Sequence, residues 1–160
     1  MSVPHTKSMF KTGLTLLRTK VPLRTSTIRT LSFTSRLCSE TKIYDFERMK
    51  QLVQHPSKNR VLVDAREPEE FKTYSIPNSV NIPFTSDPEA MKLSPEAFEE
   101  KYHFEKPETS QELVFFCKKG RRAEAAEQIA RSCGFENTAV YPGSMDDWVA
   151  NGGMDIKPSE

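Results

Sequence analysis

The sequence predicts an α/β fold with a mostly parallel central sheet and helices on both faces. Short apolar runs of strand-forming residues alternate along the 160-residue chain with stretches of helical periodicity. Such alternation favours parallel strands that are joined by helical crossovers. In addition, the chain contains no uncharged apolar run of about 18 residues, so we expect no transmembrane helix.

The first 39 residues differ in composition from the rest of the chain. They contain seven Lys or Arg and no Asp or Glu, whereas the remaining residues contain 16 basic and 22 acidic side chains. A basic, Ser/Thr-rich segment without acids is typical of a mitochondrial transit peptide. We therefore expect residues 1–39 to be a disordered presequence, cleaved near Cys38 or Ser39, and the mature protein to lie in the mitochondrial matrix. A basic tail without a targeting role is the alternative.

The first half of the remaining chain predicts two strands and two helices. A short strand at residues 43–44 precedes a helix that Asp45 can cap. The apolar run at residues 61–63 is typical of a strand buried on both faces, and it ends on Asp64. Residues 67–74 then predict a short helix with a proline in its first turn.

The second half continues the alternation. Its predicted elements are a strand at 80–82, a helix at 94–104, a strand at 112–117, a helix at 121–135, a strand at 138–143 and a helix at 144–153. We expect Ser144 to cap the last helix. Because ligands bind at the carboxyl ends of parallel strands, Asp64 and Cys117 should share one rim of the sheet.

Cys117 is the main candidate for chemistry. It lies between a strand and a helix, in an exposed loop where Gly120 can adopt a left-handed conformation. Four basic residues surround this glycine: Lys118, Lys119, Arg121 and Arg122. These cations and the positive end of the helix, which should begin near Arg122, favour thiolate over thiol. A core cysteine beside solvated basic residues explains each feature separately but not their combination on one turn.

Other candidate residues have simpler interpretations. Three cysteines without zinc-ligand spacing predict neither a disulfide framework nor a zinc site, and Cys133 reads as a small buried hydrophobe. Glu124 and Glu127 are expected to be solvated on the helix after the loop. The histidines lie in the tail, a loop and a helix end, which argues against a Cys-His hydrolase; they are His5, His55 and His103.

Four segments of the chain resemble the single-domain rhodanese (thiosulfate sulfurtransferase) family, above all its fungal mitochondrial members. They are "VDAREPEEF", "IPNSVNIPF", "ELVFFCKKGRRAEAA" and "VYPGSMDDWVANGG", and the resemblance covers residues 42–157. The residues that match family patterns are Cys117 to Arg122 (Cys-x-x-Gly-x-Arg), Asp64 with Arg66 (Asp-x-Arg), and Trp148 with Gly152. We therefore expect a single rhodanese-like domain after the presequence.

The resemblance implies a sulfurtransferase that carries a persulfide on Cys117. Thiosulfate would donate the sulfur, and cyanide, glutathione or a protein thiol would accept it, without a metal or an organic cofactor. The loop residues implied to bind substrate and persulfide are Lys118, Lys119, Gly120, Arg121 and Arg122, and the residues implied to brace the rim are Asp64 and Arg66. The resemblance implies no nucleic-acid partner and no stable membrane insertion, and it leaves the oligomeric state open.

Two other functions remain as alternatives. One is a persulfide carrier or binding module that serves a dedicated protein partner. The other is a phosphatase or arsenate reductase of related fold. In the loop of tyrosine phosphatases, an arginine stands at the sixth position after the cysteine. This chain has Ala123 at that position. The shorter loop therefore makes phosphatase chemistry the less favoured alternative.

Overall fold

The structure is a computed structural model that describes residues 40–159. The expected presequence, residues 1–39, lies outside the described residues. Within residues 40–159 no helix is long and apolar enough to cross a membrane.

The described residues form a parallel sheet in the order β1-β5-β4-β2-β3. The strands are β1 Lys42–Ile43, β2 Arg60–Asp64, β3 Ser79–Asn81, β4 Glu112–Phe116 and β5 Thr138–Val140. The two longest strands, β2 and β4, lie side by side near the centre of the sheet, at two of the apolar runs that the sequence predicts as strands. The predicted parallel sheet is therefore confirmed.

Helices cover both faces of this sheet. They are α1 Phe46–Gln54, α2 Pro68–Thr73, α3 Pro95–Tyr102, α4 Arg121–Ser132 and α5 Ser144–Ala150. Successive residues of a strand point to opposite faces. Leu113 and Phe115 of β4 accordingly join one apolar cluster with α3 and α4, whereas Val114 and Phe116 join a second cluster with α1 and α5.

The residues that precede α1 are tied to the domain by polar contacts. Lys42 donates to Glu112 at 3.0 Å, and Arg60 donates to the other oxygen of this carboxylate at 2.7 Å. Tyr44 also donates to Glu112, at 2.7 Å. Burial alone would raise the pKa of Glu112, but these hydrogen bonds outweigh it and lower the pKa to about 2. Thr41 makes a further contact, to Glu127, at 3.1 Å.

Removal of residues 40–43 should therefore destabilise the domain. A chain that begins at Tyr44 loses β1 and leaves the buried carboxylate of Glu112 without one of its cations. We expect its melting temperature to fall by about 4 °C or more, the shift that ~1 kcal/mol produces in a domain of this size. Thermal unfolding followed by circular dichroism checks this against a chain that begins at Glu40. Equal melting temperatures would show that the edge strand adds nothing.

Candidate active site

The sheet brings Asp64 and Cys117 to the same rim. Asp64 lies in register with Phe116, the residue before Cys117, and the backbone N–H of Ala65 donates to Phe116 O at 2.8 Å. Both side chains therefore leave neighbouring strands at their carboxyl ends. The shared rim predicted from the sequence is confirmed.

Cys117 itself is buried, which corrects the expectation of an exposed position. Only 2 % of the residue is accessible, and it packs at the end of the apolar cluster formed with α3 and α4. The start of α5 packs against Cys117. Cys117 N donates to Ser144 Oγ at 3.1 Å, and Met145 N donates to Cys117 O at 3.0 Å. The start of α5 therefore holds the peptide units on both sides of the nucleophile.

The basic loop begins directly after Cys117, whose backbone α5 holds. Lys118 and Lys119 are exposed, and Lys119 approaches Asp146 at 3.9 Å, too far for a hydrogen bond. Gly120 adopts φ +88°, as the expected left-handed turn requires, and it lies so close to Pro142 that an added Cβ would stand 2.6 Å from Pro142 O. The loop therefore rests against the β5–α5 connection.

The two arginines that follow point to different surroundings. Arg121 is exposed and is the first residue of α4, as the sequence predicts. Arg122 is mostly covered and is bound by both carboxylate oxygens of Glu70, at 2.6 and 3.1 Å. The pKa of the Arg122 guanidinium is raised, chiefly by the hydrogen bond to Glu70 and also by the Cys117 thiol. The effect of the thiol on this pKa indicates that the Arg122 guanidinium lies within electrostatic reach of the sulfur.

Asp64 and Arg66 form a buried ion pair. Arg66 Nη2 lies 2.7 Å from Asp64 Oδ2, and the backbone N–H of Arg66 donates to Asp64 Oδ1 at 2.9 Å. Arg66 also donates to Tyr74 O at 2.8 Å, across α2. Burial raises the pKa of Asp64, and the bonds from Arg66 oppose that rise. Because these groups satisfy each other, the geometry supports a bracing role.

Three sequence-based interpretations of neighbouring residues are wrong. Ser144 is the first residue of α5 and not its cap; it has φ +54°, is fully buried, and donates to Tyr141 O at 2.8 Å. Glu127 is 2 % exposed and accepts from Thr138 at 2.6 Å, so it is not solvated. Cys133 is half-buried, whereas a buried position was expected.

The rim around Cys117 is built for anion chemistry at sulfur. α4 begins at Arg121, four residues after Cys117, and the N-terminus of a helix favours negative charge; Arg122 supplies a cation. In the part of the chain that the structure describes, no group of three or more His, Cys, Asp or Glu is arranged to hold a metal ion. The described groups therefore suit a nucleophilic sulfur and a negatively charged reactant.

Comparison with known proteins identifies the family. Residues 47–151 match the family model of the rhodanese-like domain. The chain belongs to this family. The prediction made from the loop Cys117–Arg122 and its flanking segments is therefore confirmed.

Individual rhodanese relatives are similar over most of their length. The mitochondrial thiosulfate sulfurtransferase RDL2 of Saccharomyces cerevisiae is 43 % identical over 152 residues, which cover 95 % of this chain and 100 % of the relative. The thiosulfate:glutathione sulfurtransferase of the same yeast is 44 % identical over 74 % of this chain and 86 % of its own. The crystal structure of the single-domain sulfurtransferase RDL2 superimposes with a TM-score of 0.71 at 48 % identity, covering 74 % of this chain and 96 % of that one.

Proposed function

We propose that this rhodanese is a thiosulfate sulfurtransferase that carries the transferred sulfur as a persulfide on Cys117. The observation that carries the proposal is the position of this thiol, between the carboxyl end of β4 and the start of α4, with Arg122 beside it. The names of the two yeast relatives, a thiosulfate sulfurtransferase and a thiosulfate:glutathione sulfurtransferase, support the donor and a thiol acceptor.

The reaction consists of two displacements at sulfur. In the first, the Cys117 thiolate attacks the outer sulfur of thiosulfate; a new S–S bond forms, the old one breaks, and sulfite leaves with the electron pair. In the second, cyanide or a thiolate such as that of glutathione attacks the outer sulfur of the persulfide. The Cys117 thiolate is released with its electron pair, so the cycle needs no external oxidant or reductant.

The loop residues divide into two roles in this proposal. The backbone N–H groups that follow Cys117, together with Arg122, stabilise the negative charge on sulfur. Lys118, Lys119 and Arg121 are exposed and attract the dianion from solution. Asp64 and Arg66 keep the rim in shape.

Mass spectrometry of the purified protein after incubation with thiosulfate tests the proposal. We expect a gain of one sulfur on the peptide that contains Cys117, release of sulfite, and loss of the added sulfur on treatment with cyanide or glutathione. Cys133 supplies an internal control, because its half-buried thiol lies outside the loop. A protein that gains no sulfur, or gains it on Cys133 alone, would refute the persulfide mechanism.

A persulfide carrier for a protein acceptor is the second candidate function. It is favoured by one observation: three cations, Lys118, Lys119 and Arg121, are exposed beside a nucleophile that is only 2 % accessible. A basic surface around a recessed sulfur suits an acidic protein partner as well as a small dianion. Turnover with small acceptors distinguishes the two, since a dedicated carrier loads sulfur but transfers it slowly to cyanide or glutathione.

Replacement of Lys118 and Lys119 by alanine should raise the KM for thiosulfate about tenfold, because exposed charges steer a dianion toward the site. The same double variant should show a flatter dependence of kcat/KM on ionic strength, since salt screens such charges beyond about 8 Å. Steady-state kinetics at low and high salt checks this, with Lys58→Ala as the control, because the exposed Lys58 precedes β2 and so lies at the amino ends of the strands. An unchanged KM and salt slope would favour the carrier over the enzyme.

The proposal includes mitochondrial import through residues 1–39, with the matrix as destination. It rests on the acid-free composition of this segment and on the mitochondrial location stated in the name of the yeast relative RDL2. A chain that begins at Glu40 should keep full turnover and fail to enter mitochondria. Import of the shortened chain would contradict the targeting role of the segment.

A further inference from the structure

A carboxylate from another part of the chain holds the arginine beside the nucleophile. Glu70, on α2, accepts from Nη1 of Arg122 at 2.6 Å and from Nη2 at 3.1 Å. The two residues are 52 positions apart in the sequence, and their contact joins α2 to the start of α4. The sulfurtransferase chemistry set out above does not use Glu70.

This ion pair differs from the other pair on the same helix. Glu69 pairs with Lys72 at 3.2 Å, and both side chains are more than two-thirds exposed, so this contact should contribute little. The side chains of Arg122 and Glu70 are only 25 % and 35 % exposed, and the pairing is bidentate. A bidentate pair fixes the plane of the guanidinium as well as its position.

The pair leaves Arg122 able to bind a second anion. A guanidinium has five N–H groups, and Glu70 accepts from two of them. Arg122 also interacts with the Cys117 thiol, an interaction that helps to raise the pKa of the guanidinium. Arg66, by contrast, is engaged by Asp64 and by Tyr74 O. Arg122 is thus held by Glu70 through two N–H groups and keeps others for an anion within electrostatic reach, such as the Cys117 sulfur.

We propose that Glu70 is a positioning residue: it holds the Arg122 guanidinium beside the Cys117 sulfur while the persulfide forms and is discharged. The proposal rests on the proposed sulfurtransferase function. A long arginine side chain without this partner samples many rotamers and is drawn toward water, and holding it in one orientation in advance lowers the cost of stabilising charge on sulfur. A glutamate is charged at neutral pH, and the hydrogen bond from Arg122 lowers the pKa of Glu70 further.

Glu70→Gln tests the proposal, with Glu69→Gln as the matched control at the preceding position of the same helix. Glutamine keeps the size of the side chain but accepts through only one oxygen. We expect kcat for thiosulfate to fall about tenfold in Glu70→Gln, with KM changed less than about twofold, because the lost stabilisation acts on the reacting sulfur and not on donor capture. Glu69→Gln should match the wild type in both constants.

The rate of Cys117 alkylation by iodoacetamide, followed at the peptide level, provides a readout that does not depend on turnover. We expect slower alkylation in Glu70→Gln than in wild type or Glu69→Gln, because thiolate reactivity depends on nearby cations. In an Arg122→Met background, Glu70→Gln should change neither kcat nor alkylation any further, since its partner is gone. Methionine keeps an apolar stem of similar length at that position.

Two results would overturn the proposal. One is a Glu70→Gln variant that melts at a lower temperature but keeps the wild-type kcat and alkylation rate, which would show that the pair only connects α2 to α4. The other is a decrease in kcat and alkylation rate that Glu70→Gln causes equally in the wild-type and Arg122→Met backgrounds. That result would show that Glu70 does not act through the arginine. If the wild-type protein takes no sulfur from thiosulfate, the proposed function fails, and the alkylation rates still decide whether Glu70 positions Arg122.

Discussion

Replacing Cys117 by serine is expected to abolish sulfur transfer. A hydroxyl oxygen cannot take the outer sulfur of thiosulfate to form a persulfide, so both displacements lose their nucleophile. Sulfite release from thiosulfate, and thiocyanate formation when cyanide is added, should fall to background. The mass of the variant should remain unchanged after incubation with thiosulfate.

Cys133→Ser is the control for the loss of a thiol, and it should keep wild-type turnover. The effects on stability follow from burial. Cys117 is 2 % accessible and lies in an apolar cluster, so a hydroxyl there should cost about 1–3 kcal/mol. Cys133 is half-buried, so Cys133→Ser should reduce the stability by less. Turnover that survives in Cys117→Ser would refute the mechanism, whereas turnover lost in Cys133→Ser would show that transfer also needs the thiol of Cys133, at the end of α4.

The parts of the fold that the sequence predicts correctly depend on local patterns. Residues 61–63 and 113–117 are apolar runs bounded by polar residues, and β2 and β4 form there as neighbours. Asp45 precedes an apolar stripe at helical spacing, and its carboxylate accepts from Arg48 N at 2.8 Å. Because parallel strands share their carboxyl edge, two correct strands were enough to place Asp64 beside Cys117.

The residues that the sequence misjudged depend on contacts between distant segments. Glu70 reads as one acid among several in the first turn of a short helix, and its role appears only when α4 brings Arg122 against it. A serine before a helical stretch reads as a cap, yet Ser144 turns inward to the backbone of Cys117. Glu127 looks solvated until Thr138 and Thr41 reach it. Local sequence patterns do not predict these contacts, because the partners come from distant segments of the chain.

The features of Gly120 were predicted from the sequence only in part. The sequence predicts its left-handed conformation, because a loop that gathers N–H groups around a sulfur needs one. The contact of Gly120 with Pro142 depends on where the β5–α5 connection runs, which the sequence does not reveal. Any side chain at this position therefore meets two obstacles, backbone strain and a fixed neighbouring carbonyl.

Gly120→Val should consequently lower kcat by about 100-fold, with a smaller effect on the KM for thiosulfate. A Cβ would stand 2.6 Å from Pro142 O, so the loop must move away from its support. This movement displaces the N–H groups that, in the proposed mechanism, stabilise charge on the Cys117 sulfur, and removal of a single such donor costs about 100- to 1000-fold in other enzymes. Steady-state kinetics with thiosulfate and cyanide measures both constants.

Gly134→Val is the control that separates the effect of backbone strain from that of loop displacement. Gly134 has φ +94°, close to the +88° of Gly120, but nothing lies within 4 Å of its added Cβ. Both variants should therefore lose about 1–2 kcal/mol of stability to the left-handed backbone. Only Gly120→Val also displaces the loop, so Gly134→Val should keep the wild-type kcat. If both variants lose kcat equally, backbone strain at the two ends of α4 accounts for the effect. If Gly120→Val keeps its kcat, the N–H groups of the loop do not stabilise the charge on sulfur.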